Sequence, residues 1–247
     1  MKFIKEILGR LFALWAIIVF TVTLIIFLIP FLLFTWHLPD PKKSFRFVAQ
    51  ARIWMGVFLP LIGCPLRVRG RENFAPGENY VVVCNHNSFM DVPISSPSIP
   101  GGNKTIAKIE MAKIPLFGLI YRTGSVLVDR KSDKSRKDSF QHMKKVLGMG
   151  LHMCIYPEGT RNKTDQPLKT FHDGAFRLAI DTGKAVIPGI IFNTRGVLPA
   201  SKPFFLMPHP LQIHFLKPIP VEWNDTVDTL KNRVHEVMAA YYLANKK

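Results

Sequence analysis

Asn85-His86-Asn87-Ser88-Phe89-Met90-Asp91 places an imidazole and a carboxylate five positions apart, directly after the strand-like run at 80–84. On one continuous helix five residues turn through roughly 500°, leaving the two side chains about 140° apart and unable to meet. A turn through Asn87 and Ser88 at a strand end would bring Asp91 back to the ring. A carboxylate there fixes the imidazole tautomer and stabilises its protonated form, and the other ring nitrogen can then take a proton from a hydroxyl. In a chain with 8 histidines and 17 acidic residues this offset also arises by chance, so the pair needs support from elsewhere. Ser88 as a nucleophile is disfavoured because no Gly-x-Ser-x-Gly elbow surrounds it.

A second constellation follows about seventy residues later, at Tyr156-Pro157-Glu158-Gly159-Thr160-Arg161-Asn162, again just beyond a strand-like run. Strand ends of open α/β sheets are where ligands collect. Gly159 lets backbone approach a ligand, Thr160 offers a hydroxyl, and Arg161 offers a planar fork suited to phosphate oxygens. Taken alone, the same residues describe an ordinary turn with a solvated arginine.

The elements that must position these residues can be read from pattern. Short apolar runs at 66–69, 80–84, 105–108, 125–129, 152–156, 186–192 and 211–216 read as strands. Helices fit between several of them: one starting at Asp91, one capped by Ser132 and running to about Leu147, one at 174–182 closed by Gly183, and one at 227–243. The alternation implies an α/β fold with a mixed, largely parallel sheet flanked by helices.

Ahead of it, residues 11–34 are uncharged and apolar, longer than the roughly 20 residues that span a bilayer core. Pro30 inside the run is expected to kink or end the helix. Residues 45–62 mix apolar positions with Arg46, Gln50 and Arg52 at helical spacing and read as an amphipathic helix. Lys2, Lys5 and Arg10 precede the apolar run while Lys42, Lys43, Arg46 and Arg52 follow it, so charge gives no orientation for a single crossing. A membrane-embedded helical pair dipping into one leaflet keeps both basic flanks on the anionic cytoplasmic surface and is the preferred reading. The expected division is 1–62 for the membrane-associated helices and 63–247 for the α/β domain.

The chain of 247 residues carries a formal charge of +16, which calls for anionic partners. Nucleic acid is disfavoured, since the basic residues are dispersed and no binding motif is present. Cys64, Cys84 and Cys154 are scattered and odd in number, which argues against a disulfide framework and a zinc site and for a reduced, cytoplasm-facing catalytic part.

Taken together, the motifs resemble the glycerolipid acyltransferase family, in particular the bacterial 1-acylglycerol-3-phosphate acyltransferases. Asn85-His86-x-Ser88-x-x-Asp91 looks like the first block of that family, Gly124 to Arg130 its second, Tyr156 to Asn162 its third, and Val186-Ile187-Pro188-Gly189-Ile190 a looser fourth. Lys108-Ile109-Glu110-Met111 is similar to a family segment carrying a phosphate-binding lysine. One departure is Phe171-His172-Asp173-Gly174, where relatives have a lysine after the phenylalanine. The resemblance implies transfer of a fatty acyl group from acyl-CoA or an acyl carrier protein to lysophosphatidic acid at a cell inner membrane, with no cofactor and no metal. His86 would be the general base, assisted by Asp91. Lys108, Arg130 and Arg161 are candidates for the acceptor phosphate, Gly159 and Thr160 belong to the same binding block, and Glu158 is carried over without a derived role. Other lysophospholipids, a lyso-ornithine lipid, or a non-catalytic peripheral membrane protein are the alternatives.

Overall fold

In a computed structural model describing residues 2–246, all seven apolar runs are strands: β1 (Leu66–Arg69), β2 (Val81–Cys84), β3 (Asn103–Lys108), β4 (Ser125–Val128), β5 (His152–Ile155), β6 (Val186–Phe192) and β7 (Leu211–Phe215). They form one sheet in the order β1-β7-β6-β2-β5-β3-β4. Neighbours run parallel except β6 with β7, so the C-terminal ends of β6, β2, β5, β3 and β4 share one edge. The helices are α1 (Lys2–Phe34), α2 (Lys42–Leu61), α3 (Asp91–Ser98), α4 (Phe117–Thr123), α5 (Asp133–Gly148), α6 (Gly174–Thr182), the single turn α7 (Thr194–Val197) and α8 (Val227–Asn245).

Period-2 alternation sorts the central strands between two layers. Val82 and Cys84 of β2 face a core shared with α1, α2 and α3, whereas Val81 and Val83 face a second core with α5, α6 and α8. β6 divides in the same way, with Ile187 and Ile191 on the first side and Val186 and Ile190 on the second. Burial on both faces explains why these strands are continuously apolar. The caps follow the sequence too: Ser132 accepts from the Ser135 amide at the start of α5, and Thr226 and Thr229 make a capping box at the start of α8.

α1 begins at Lys2, ahead of the uncharged run, and Pro30 does not end it: the helix continues to Phe34. The Pro30 carbonyl accepts a hydrogen bond from Gln50 Nε2 at 3.3 Å, so α2 packs alongside this last stretch. Trp54 Nε1 to Thr23 Oγ1 and Trp15 Nε1 to the Leu61 carbonyl, each 2.9 Å, define an antiparallel hairpin. This hairpin is fastened to the sheet domain. Lys104 Nζ reaches Asp40 Oδ2 in the connecting turn at 2.8 Å, and Arg52 donates to the Pro97 and Ile99 carbonyls at the end of α3. The opposite side of α1 presents a run of exposed apolar side chains from Phe3 to Phe34. At about 1.5 Å per residue the helix is roughly 50 Å long, and it is long and apolar enough to cross a membrane.

At the edge of the sheet away from the catalytic candidates, His152 is buried and stacked on Tyr80 with ring centroids 5.8 Å apart, and its Nδ1 accepts from the Tyr80 amide. Burial pushes its pKa down to about 4. The unfolded chain protonates this ring near pH 6.5, so the native state has its full stability above that pH and loses it as pH falls towards 4, by about 3 kcal/mol in total. Denaturant unfolding in detergent is expected to show a steeper acid limb for the wild type than for His152→Gln. Coincident limbs would remove His152 as the cause.

Candidate active site

β2 ends at Cys84, and the following residue secures the exit from the sheet. Asn85 donates from Nδ2 to the Ile191 carbonyl at 3.0 Å and accepts from the Ile191 amide at 2.7 Å, so an amide side chain prolongs the ladder onto β6. The chain then turns into α3, and His86 Nδ1 lies 2.8 Å from Asp91 Oδ2. That same oxygen accepts from the Asn87 and Ser88 amides at 2.6 and 2.7 Å. Asp91 is fully buried while the His86 side chain is 19% exposed. Because a carboxylate only accepts, the proton between them belongs on Nδ1, leaving Nε2 as a lone-pair acceptor. Ser88 is occupied as a turn hydroxyl, donating to the Leu198 carbonyl at 2.8 Å and accepting from the Met90 amide.

The neighbouring strand β5 brings the second constellation beside the first. The Tyr156 ring packs against the imidazole with centroids 4.6 Å apart, and its hydroxyl pairs with Ser95 Oγ at 2.7 Å. Burial, reinforced by Cys154, Cys84 and Asp91, holds that phenol well above its usual pKa, so it stays neutral. Glu158 is only 1% exposed and joins the two loops: Oε1 accepts from the His86 amide at 2.8 Å and Oε2 from the Lys169 amide at 3.1 Å. Burial raises its pKa against the pull of these donors, of His86 and of Lys169. The Asn162 amide closes the junction by donating to the His86 carbonyl at 2.6 Å. Gly159 has φ 68°, a left-handed conformation that favours glycine, and a Cβ there would also have to displace the exposed His172 ring, 2.7 Å away.

The basic candidates separate. The Arg161 guanidinium lies 3.8 Å from the centroid of Phe89, a residue of the His86–Asp91 loop itself. Arg130, just beyond β4, donates to the Gly159 carbonyl. Lys108 ends β3 on the same sheet edge, but its ammonium pairs with Glu110 Oε1 at 3.0 Å, and among the described residues no hydrogen bond joins it to the Arg161 loop. Thr160 Oγ1 accepts from Lys169 Nζ at 2.6 Å.

Lys163 and Lys169 are what sequence reasoning missed. With Thr160, Arg161 and Thr164 they line a cavity of about 450 Å³, a wall with three cations and no carboxylate. The signal was the absent lysine after Phe171: His172 stands there, and a lysine three positions earlier lines the cavity. No cluster of three or more His, Cys, Asp or Glu residues suited to a metal occurs among the described residues.

Known proteins resemble the chain in sequence and in fold. The family model described as acyltransferase matches residues 65–192, just over half of the chain. A 1-acyl-sn-glycerol-3-phosphate acyltransferase of Chlamydomonas reinhardtii is 31% identical over 69% of this chain and 51% of its own length. The alpha form of the same enzyme from Homo sapiens is 31% identical over 74% of this chain and 65% of its own. The chain thus spans about half to two thirds of the length of these relatives. The crystal structure of the 1-acyl-sn-glycerophosphate (LPA) acyltransferase PlsC from Thermotoga maritima shares the fold, with a TM-score of 0.82 over 98% of both chains at 22% identity. A matched segment that contains both His86 and Arg161, on this fold, means that the chain belongs to the acyltransferase family.

Proposed function

We propose that the protein transfers a fatty acyl group from an acyl thioester to the free hydroxyl of lysophosphatidic acid, giving phosphatidic acid for phospholipid synthesis. The observation that carries this is the closure of the His86–Asp91 loop and the Arg161 loop onto one another, through Glu158 and the Asn162 amide. The nearness of the His86–Asp91 pair to a cationic cavity at one sheet edge supports a base and an anion seat acting on one substrate. Relatives whose names specify 1-acyl-sn-glycerol-3-phosphate as acceptor support the choice of substrate.

In this reading His86 Nε2 removes the acceptor hydroxyl proton as the oxygen attacks the thioester carbonyl carbon. The C–O bond forms, the carbonyl oxygen becomes an oxyanion, and its collapse breaks the C–S bond. The leaving thiolate recovers the proton from the imidazolium, whose charge Asp91 stabilises meanwhile. A thioester is already activated, so the protein needs no covalent nucleophile. Arg161, Lys163 and Lys169 hold the acceptor phosphate, and fixing that end of the molecule aligns the hydroxyl with the base. Three cations suit a phosphomonoester carrying nearly two charges better than a singly charged diester head group. Arg130 and Gly159 shape the cavity rim, Glu158 positions both loops, and Lys108 and Thr160 complete the candidate binding set. Residues 1–62 serve as the leaflet anchor and 63–247 as the catalytic part, on the cytoplasmic face of a cell inner membrane. The donor is acyl-CoA or an acylated carrier protein, and no cofactor enters the scheme.

Purified protein given radiolabelled acyl thioester and lysophosphatidate is expected to yield phosphatidate. His86→Ala should lower kcat about 10²- to 10⁴-fold while vesicle binding is retained; no product from the wild type, or undiminished product from the variant, would defeat the assignment. Asp91→Ala strands three buried donors and is expected to cost about 2–5 kcal/mol of unfolding free energy by denaturant titration. Lys169→Ala should raise KM for lysophosphatidate more than it lowers kcat, and an unchanged KM would remove that lysine from the phosphate seat.

A further inference from the structure

Three non-glycine residues among those described have positive φ: Leu116 at 59°, Asn193 at 72° and Phe204 at 52°. Asparagine tolerates that region through its short polar side chain, but leucine and phenylalanine are strained in it. At Leu116 the Phe117 amide donates to the Pro115 carbonyl at 2.6 Å, with φ 59° and ψ −56° between them. This is the rare, strained form of the γ-turn. Leu116 and Phe204 are also 50% and 48% exposed, and Ile114 beside the first is 43% exposed. Strained backbone that holds a large apolar side chain out in water gains nothing from the protein itself.

The loops that carry both residues contact α1 through their neighbours. Phe117 packs on Phe20 of α1 with ring centroids 6.2 Å apart. The Leu206 amide donates to the Gly9 carbonyl at 2.9 Å, and Lys202 pairs with Glu6. Gly9 and Phe20 are eleven positions apart, so they lie within roughly 20° of one another around the helix. The two loops therefore meet one stripe of α1 on its packed side, and Ile114, Leu116 and Phe204 add exposed apolar side chains beside it. They also flank the candidate site: the 109–117 loop follows directly from Lys108 at the end of β3, and the 198–206 loop begins at the carbonyl that receives Ser88 Oγ. Lys5 and Arg10 at the start of α1 and Lys113 in the 109–117 loop are exposed. Cations fringing an apolar surface fit anionic head groups.

We propose that the 109–117 and 198–206 loops are a second membrane contact, seating Ile114, Leu116 and Phe204 in the interface of an anionic bilayer beside α1 and holding the mouth of the site against the leaflet. The inference rests on the reading that α1 is bound to a membrane, and the test separates the two. Cys64, Cys84 and Cys154 are buried, so single cysteines introduced by Leu116→Cys, Phe204→Cys and, on the exposed side of α1, Ile18→Cys can each carry an environment-sensitive fluorophore. With the full chain on mixed phosphatidylcholine and phosphatidylglycerol vesicles, a blue shift and quenching by brominated lipid are expected at all three positions. A response at position 18 alone overturns the second contact and leaves the α1 anchor standing. Aqueous emission at all three overturns both, and a blue shift at 116 and 204 without lipid, through self-association, also overturns the proposal. The doubly substituted Leu116→Gly, Phe204→Gly protein loses strain and apolar surface together. Its Tm should not fall, and turnover of a vesicle-borne acceptor should drop several-fold relative to one dispersed in detergent; an equal rate in both settings counts against the contact.

Discussion

A carboxylate with no surface in water must draw its donors from the protein around it, and Asp91 gathers three on a single oxygen. This requirement organises the sheet edge. The loop has to be short and folded on itself, so β2 must stop at Cys84 and α3 must begin at the carboxylate. Asn85 holds the loop to β6 on one side, and Glu158 holds it to the β5 loop on the other. Both attachments use backbone groups, which hold position against small changes in side-chain packing. The imidazole that emerges has one nitrogen committed to Asp91 and remains partly exposed.

Much of this arrangement was legible in the sequence because it depends on local pattern. Short apolar runs such as 81–83 and 186–192 mark strands buried on both faces, and Ser132 and Gly183 bracket helices through capping chemistry. Helix geometry excluded a continuous helix from His86 to Asp91, and the strand end before them made a turn the expectation. What was not legible depends on distant partners. Pro30 suggests a break, yet the helix runs on with α2 packed against it. Glu158 had no derivable role because its two acceptors are used by amides 72 and 11 positions away. Lys169 and Lys163 carry no motif, and only the folded loop brings them to the wall that holds Arg161. The α4 segment and the 198–206 loop are too short or too irregular for periodicity to register.

The charge of the chain acquires a location in the fold. A formal +16 says only that partners are anionic, but part of the excess lines the cleft at the sheet edge and part lies at the start of α1 and in the loop after β3. The loop after β3 leaves from Lys108, on the sheet edge where β2 and β5 also end.

The hairpin formed by α1 and α2 shares a hydrophobic core with the sheet: Phe58, Leu59 and Ile62 pack in the same cluster as Val82, Cys84, Ile187 and Ile191. The hairpin and the sheet domain are thus two sides of one packed core. Trimming the hairpin away in search of a soluble fragment would strip one lid from the central strands, and grafting it onto another protein would carry off half of a core with no counterpart to receive it.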